Sequence, residues 1–312
     1  MDLFVYMDLN SDQKSRVRRT ASPRKVHFCV PGTTFDAAAD VFLKSGIVLG
    51  NPPPDWFARH HTLQWVQLDS AGFGEYVDSD PSGDDARERP VISNLPGFFA
   101  ETVAETCLAG ILALKRGIDH CVRLKERRHW RGSAIRPELG TLTGSRVVLF
   151  AFGSINRRLA DLLEPFNCRV SPFGQDWIPD DLDRALAVAD VVVCNAPHTP
   201  RTAGVFDRDR LGRLPRTAIF VNAGRGTLLD EAELARRLRE GRLAGAVIDV
   251  TAVEPLPTTH PFWDCPNLIL TQHSAGGTAD ETDRKLEFFE TNLARYDRGV
   301  PVNGIINSSR GY

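Results

Sequence analysis

Residues 146–156 read Arg-Val-Val-Leu-Phe-Ala-Phe-Gly-Ser-Ile-Asn. The first five (RVVLF) form a continuous run of the kind found in strands buried on both faces of a parallel sheet. After a short turn, a helical pattern covers Ile155–Leu163. Downstream, Cys168–Phe173, Val191–Cys194, Ala218–Val221, Ala246–Val250 and Leu268–Leu270 are five further short strands. Helical stretches, notably Asp230–Glu240, lie between them. Six strands with crossover helices predict an α/β architecture built on a doubly wound parallel sheet of the dinucleotide-binding kind.

The rhythm upstream is similar. Val26–Val30 is strand-like and is stopped by Pro31-Gly32. A helix around Phe35–Lys44, a turn at Asn51-Pro52-Pro53-Pro54, a strand over Leu63–Leu68, a loop over Pro81–Pro90 and a strand at Val91–Ser93 follow. One long helix is expected from Ala100 to Arg127, with Val103, Cys107, Ile111 and Leu114 at helical spacing. A last helix, Asp280–Arg298, leads into an extended tail, Pro301–Ile306. Residues 10–25 (NSDQKSRVRRTASPRK) are polar and basic, so the first 24 residues are expected to be a poorly ordered extension.

The chain has 312 residues, which favours two domains over one. Its 42% hydrophobic and 25% charged residues are ordinary for a globular protein. A net charge of −2 argues against a nucleic-acid or acidic-membrane partner. The six cysteines contain no CxxC pair and are expected to be reduced, with no metal site. No apolar run reaches the roughly 18–20 residues that span a bilayer, and no signal peptide is evident, so a cytoplasmic protein is expected.

The Gly-rich turn departs from G-x-G-x-x-G. Its three glycine positions hold Ala151, Gly153 and Asn156. The survivor, Gly153, is the one whose side chain would collide with a phosphate. Asn156 either pushes the helix away from the strand or hydrogen-bonds the turn. The acidic position after the second strand is Gly174, followed by Gln175 and Asp176. Asp176 either stands in for that carboxylate or caps a turn.

Three later strands end in loops that carry chemistry. Asn222-Ala223-Gly224-Arg225-Gly226 places an arginine between two glycines, suited to gripping a carboxylate in bidentate fashion. Asp249 to Glu254-Pro255-Leu256-Pro257 brings a carboxylate, and Thr271-Gln272-His273-Ser274-Ala275 a histidine. Reduction of a 2-oxo acid needs a cation for the carboxylate, a hydride donor and an acid for the carbonyl oxygen. A carboxylate beside a histidine favours its protonated form. Arg225, Glu254 and His273 at consecutive strand ends fit those needs. His198, also at a strand end, is a rival to His273, whereas His60, His61, His120 and His129 lie in polar or helical surroundings.

With these motifs in place, the chain resembles the D-isomer-specific 2-hydroxyacid dehydrogenases, particularly glyoxylate/hydroxypyruvate reductase-like members. The likeness runs from about Lys25 to Tyr312. It is carried by 221–226, by Asp249-Val250 through Glu254-Pro255-Leu256-Pro257, and by His273-Ser274-Ala275-Gly276-Gly277-Thr278. Val103-Ala104-Glu105, Asp69-Ser70-Ala71-Gly72 and the tail from Gly299 to Gly311-Tyr312 add to it.

The resemblance implies two Rossmann-like domains, the substrate-binding one flavodoxin-like. Residues 1–99 would bind substrate, 100–284 would bind the dinucleotide, and 285–312 would return to the first domain, with a cleft between the two. Arg225 would hold the substrate carboxylate, His273 exchange the proton and Glu254 tune His273. Ser70, Ala71 and Gly72 would touch substrate. Gly153, Ser154, Ile155, Asn156, Gln175, Ala196, Pro197, Ala223, Gly224, Asp249, Ala275 and Gly276 would line the cofactor, Asp249 near the nicotinamide. The cofactor would be NAD or NADP, with NAD favoured, and the protein a homodimer acting on a small-molecule acid. Gln272 stands where the family usually has proline. Glu254 points away from the formate-specific branch, where a glutamine pairs with the histidine. Two other readings remain open at this point: an enzyme for a phosphonate-type acid, and a non-catalytic dinucleotide sensor.

Overall fold

The computed structural model describes residues 1–77 and 90–306. The loop expected over Pro81–Pro90, all but Pro90 itself, and the terminal Gly311-Tyr312 lie outside the described residues. In chain order the first elements are β1 (Asp2–Tyr6), α1 (Ser11–Ala21), β2 (Val26–Cys29), α2 (Phe35–Phe42), β3 (Ser45–Gly50), β4 (Trp65–Gln67), α3 (Gly74–Val77) and β5 (Val91–Ser93). Then come α4 (Ala100–Lys115), α5 (Ile118–Glu126), β6 (Arg146–Phe150), α6 (Ser154–Leu163), β7 (Arg169–Phe173), α7 (Pro179–Leu186) and β8 (Val191–Cys194). The series ends with α8 (Arg208–Arg213), β9 (Ile219–Asn222), α9 (Glu231–Arg239), β10 (Gly245–Ile248), β11 (Leu268–Leu270) and α10 (Glu281–Asp297).

The chain divides into two compact units, Met1–Phe98 with the segment from Thr278 onward, and Phe99–Gly277. The first holds a parallel sheet in the order β2-β1-β3-β4-β5, the flavodoxin-like arrangement. Alternation along β1 builds two cores. Leu3 and Val5 join Ile47, Leu49 and Trp65 under Val17 of α1 and Leu286, Phe289 and Leu293 of α10. Phe4 and Tyr6 face the other way, onto Phe42, Trp56 and Phe57.

This overturns the expectation that residues 1–24 are a poorly ordered extension. Leu3, Phe4 and Val5 are fully buried in a strand paired on both sides. α1 opens with a capping box in which the Asn10 side chain accepts from Asp12 N and Gln13 N while Gln13 reaches back to Asn10 N. Only Val17 and Ala21 of this helix are buried. Its basic face is held by pairing, with Arg16 bidentate on Glu290 of α10 at 2.8 and 2.7 Å. Composition therefore reads as a solvated tail what topology makes a covered face. β3 is not evident in the sequence either, because its apolar core Ile47-Val48-Leu49 is short and is enclosed by Gly46 and Gly50.

The second unit has a six-stranded parallel sheet, β11-β10-β9-β8-β6-β7, covered on both faces. Val148, Phe150, Val192, Phe220 and Ile248 pack under α7, α8 and α9, and Val147, Leu149, Val193, Val221 and Val247 under α4 and α6. Strand order reverses at β6, which lies between β7 and β8. Such a switch point opens a crevice at the carboxyl ends of the strands. The long helix expected from Ala100 to Arg127 is broken, because Gly117 adopts φ +61°, a left-handed conformation that ends α4 and starts α5. Among the described residues no helix is long and apolar enough to cross a membrane.

Because β1 is core, Phe4→Ala should destabilise the protein by about 3–5 kcal/mol. The check is the urea midpoint, which would be unchanged if this segment were a solvated extension.

Candidate active site

Three neighbouring strands of the second unit end side by side. β9 leads into Ala223–Gly226, β10 into Asp249–Glu254 and β11 into Thr271–His273. His273 Nδ1 lies 2.7 Å from Glu254 Oε2. With Glu254 ionised, Nδ1 carries the shared proton and Nε2 is the ring atom left for exchange. Glu254 Oε1 accepts from Thr251 N at 2.9 Å. Burial would raise this carboxyl. The hydrogen bonds from His273 and Thr251 and the charges of His273 and Arg225 outweigh it and hold Glu254 below its ordinary 4.5. It is thus a fixed anion throughout the neutral range.

The His273 backbone is itself left-handed, φ +51°. Its N–H donates to Asp249 O at 2.8 Å. Asp249 Oδ1 accepts from Thr271 Oγ1 (2.6 Å), Ser274 N (2.9 Å) and Ala275 N (3.1 Å). Ala275 O and Gly276 O accept in turn from Thr106 and Thr102 of α4. The histidine is therefore posed by backbone bonds on both sides.

Arg225 is exposed, with its guanidinium Nη1 donating to Gly224 O at 2.7 Å. Asn222 shapes the loop, its Nδ2 donating to Arg225 O and its Oδ1 accepting from Gly224 N. Both flanking glycines are required by close approach. A Cβ on Gly224 would lie 2.5 Å from Ala196 O, and one on Gly226 only 1.9 Å from Thr251 C. The arginine loop thus rests on the loop after β8 and on the turn that carries Glu254.

The β6–α6 turn is open at the start of its helix and could hold a phosphate. No side chain caps α6, and a Cβ on Gly153 would meet nothing within 4 Å. The first N–H groups of this ten-residue helix are thereby left for an anion, as a dinucleotide pyrophosphate requires. Asn156 does not push the helix away. It is fully buried, its Nδ2 donating to Phe150 O (2.8 Å) and Ala151 O (3.0 Å), its Oδ1 accepting from Asn195 Nδ2 (2.7 Å). Ala151, at the first glycine position, sits at φ +68°. Gly174 is exposed, and Gln175 O accepts from Arg201 Nη1 at 2.7 Å. Pro197 O accepts from Thr202.

The remaining candidates have partners of their own. His198 bonds Thr227 Oγ1 at 2.8 Å. In the first unit Ser70 Oγ donates to Gly72 O and Asn94 holds Ala71 O. Among the described residues no group of three or more His, Cys, Asp or Glu side chains is arranged to hold a metal ion. Asn195, Asn222 and Thr271 do not stand out in the sequence. Their only signal there is position, one residue past a strand or at its end.

An uncapped helix start at a switch point, beside an arginine and a histidine–carboxylate pair, defines a dinucleotide-dependent oxidoreductase. The chain belongs to the D-isomer specific 2-hydroxyacid dehydrogenases, whose NAD binding domain matches residues 108–275, more than half of its length. It is 29% identical to a glyoxylate reductase of Thermofilum pendens over 69% of this chain and 68% of that one. Among solved structures, the TT0316 protein of Thermus thermophilus shares 27% identity and a TM-score of 0.80, covering 98% of this chain and 100% of its own. A D-isomer specific 2-hydroxyacid dehydrogenase from Xanthobacter autotrophicus Py2, in complex with NADPH and MES, shares 26% identity and a TM-score of 0.79 over 100% and 99% of the two chains. The protein is an NAD(P)-dependent oxidoreductase of this family.

Restoring the usual glycine by Asn156→Gly should destabilise the protein by about 1–3 kcal/mol, because the Asn195 amide loses its buried partner. Urea denaturation reads this, and a variant as stable as wild type would refute the bridging role.

Proposed function

We propose that the protein reduces a small 2-oxo acid to the 2-hydroxy acid, reversibly, using NADH or NADPH. The carrying observation is the 2.7 Å His273–Glu254 pair next to Arg225. A nicotinamide cofactor, when bound, would supply the hydride. Arg225 grips the substrate carboxylate and polarises the carbonyl. As the carbonyl carbon gains the hydride, protonated His273, its charge balanced by Glu254, gives its Nε2 proton to the carbonyl oxygen and becomes neutral. In reverse, neutral His273 takes the hydroxyl proton.

In the same reading, Gly153, Ser154 and Ile155 hold the pyrophosphate, and Asn156 fixes that turn from behind. Gln175, Ala196, Pro197, Ala223, Gly224, Asp249, Ala275 and Gly276 are cofactor-side residues, and Ser70, Ala71 and Gly72 are substrate contacts. Asp249 acts there chiefly by holding the turn of His273. The six cysteines are unpaired, which suits the reducing cytoplasm we propose for the protein.

We also propose that a second copy of the chain covers the face around α5, making a homodimer. α5 buries no residue, and Ile118, Val122 and Trp130 are 54, 52 and 92% exposed. A cavity of about 450 Å³ there is lined by Leu124, Trp130 and Ile135 together with the basic Lys125, Arg128 and Arg131. Large apolar side chains exposed together are the kind of surface that association covers. Sedimentation of wild type should give a dimer and Trp130→Ala a weaker one; a wild-type monomer at micromolar concentration contradicts this assembly.

A panel of 2-oxo acids with both NADH and NADPH should reveal turnover. Silence on every acid overturns the reading, activity on phosphonates instead moves the substrate class, and cofactor binding without turnover favours a sensor. His273→Ala should lower kcat by about 10²–10⁴-fold with cofactor affinity retained. Arg225→Ala should cost about 10²–10³-fold in kcat/KM through the lost charged hydrogen bonds.

A further inference from the structure

A second histidine–carboxylate pair lies behind the first. Glu231, the first residue of α9, turns both carboxylate oxygens away from its own helix. Oε1 accepts from Ala252 N at 2.8 Å, and Oε2 lies 3.3 Å from His260 Nε2. The helix does not need Glu231 as a cap, because Asp230 already accepts from Glu233 N. His260 Nδ1 accepts from Phe262 N, which leaves the ring proton on Nε2, the ring atom nearest Glu231. The ring also stands edge-on to Phe262, 4.7 Å between centroids, and Phe262 is buried in the core. Only 13% of the Glu231 side chain and 18% of that of His260 are exposed.

The bond to Ala252 matters because of its neighbour. Consecutive amides of one exposed turn donate to two different carboxylates. Thr251 N donates to Glu254, the partner of His273, and Ala252 N donates to Glu231. Ala252, Val253 and Glu254 are all exposed, so little packing holds this turn. Its fixed contacts are Gly226 pressed against the Thr251 backbone on one side and Glu231 on the other.

We infer that Glu231, backed by His260, is a positioning residue for the proton relay. It clamps the 251–254 turn through Ala252 N–H and so sets Glu254 against His273. This rests on the proposed function for its catalytic consequence, whereas the clamp itself does not.

Amide exchange of Thr251, followed by NMR on the full chain, tests the clamp without any substrate. Exchange should be faster in Glu231→Ala and slower than that in Glu231→Gln, whose side-chain oxygen still accepts from Ala252 N–H although its amide nitrogen then faces the His260 ring. With a 2-oxo acid that the enzyme turns over, Glu231→Ala should lower kcat about 10-fold while the KM for the nicotinamide cofactor stays within about two-fold, because misplacement of a catalytic group slows the chemical step more than it weakens binding. Glu231→Gln should recover most of that loss. If Glu231→Ala does not fold, His260→Ala serves in its place, with a smaller acceleration of Thr251 exchange expected. Unchanged Thr251 exchange in the alanine variant, or a glutamine variant as impaired as alanine, overturns the inference. A wild type that reduces no acid at all sinks the proposed reaction and leaves the exchange result to judge the clamp alone.

Discussion

One carboxylate oxygen organises the chemical end of the second unit. Asp249 Oδ1 gathers Thr271 Oγ1, Ser274 N and Ala275 N, and the Asp249 carbonyl takes His273 N. A carboxylate only 5% exposed is costly unless its lone pairs are used, and here three donors meet one oxygen. What this stabilises is a histidine in a left-handed conformation, which costs on the order of 1–3 kcal/mol when nothing enforces it. The strand ends of β10 and β11 are thereby locked together, and the side chain of His273 is delivered to Glu254. The His273–Glu254 pair needs this backbone arrangement before any electrostatic tuning has meaning.

How far the sequence foretold this follows from what kind of information each feature carries. Arg225, Glu254 and His273 were legible because each follows an apolar strand by a few residues, and parallel strands order their ends in one row. Chemistry at strand ends is a pattern in one dimension. β1 and α1 were not legible in that way. Their place depends on β1 pairing with both β2 and β3, and on Arg16 of α1 meeting Glu290 of α10, 274 positions away. A polar, basic stretch looks the same whether it meets water or a distant acidic helix. The break at Gly117 was hidden for a related reason, since a glycine inside a helical pattern does not announce a left-handed conformation.

The Gly-rich turn lies between these cases. Two of its glycines are replaced, and sequence left open whether Asn156 pushes or bonds. The structure decides for bonding, at the cost of needing a second asparagine. Asn156 closes the carbonyls of Phe150 and Ala151, and Asn195, whose own N–H reaches Phe150 O, completes the bridge from β8 to β6. A motif written as three glycines thus describes one solution to a packing problem. Here two side-chain amides bridge β6 and β8 behind the turn, and only Gly153, the position at which the motif lets a phosphate approach the backbone, is retained.

The same logic explains why the proposed relay can be built from loops yet need not be loose. Arg225, Glu254 and His273 lie on three exposed segments, but each segment is fastened to its neighbour by backbone contact. Gly224 lies on Ala196, Gly226 on Thr251, and His273 N on Asp249 O. Backbone contacts have few rotamers to lose, so they hold position more firmly than side-chain packing at the same exposure. The turn with Glu254 is the weakest link, having an exposed Val253 and no buried apolar residue among positions 251–254. A carboxylate from the adjoining helix, reaching the amide beside the one that Glu254 itself uses, supplies the fixation that hydrophobic burial does not.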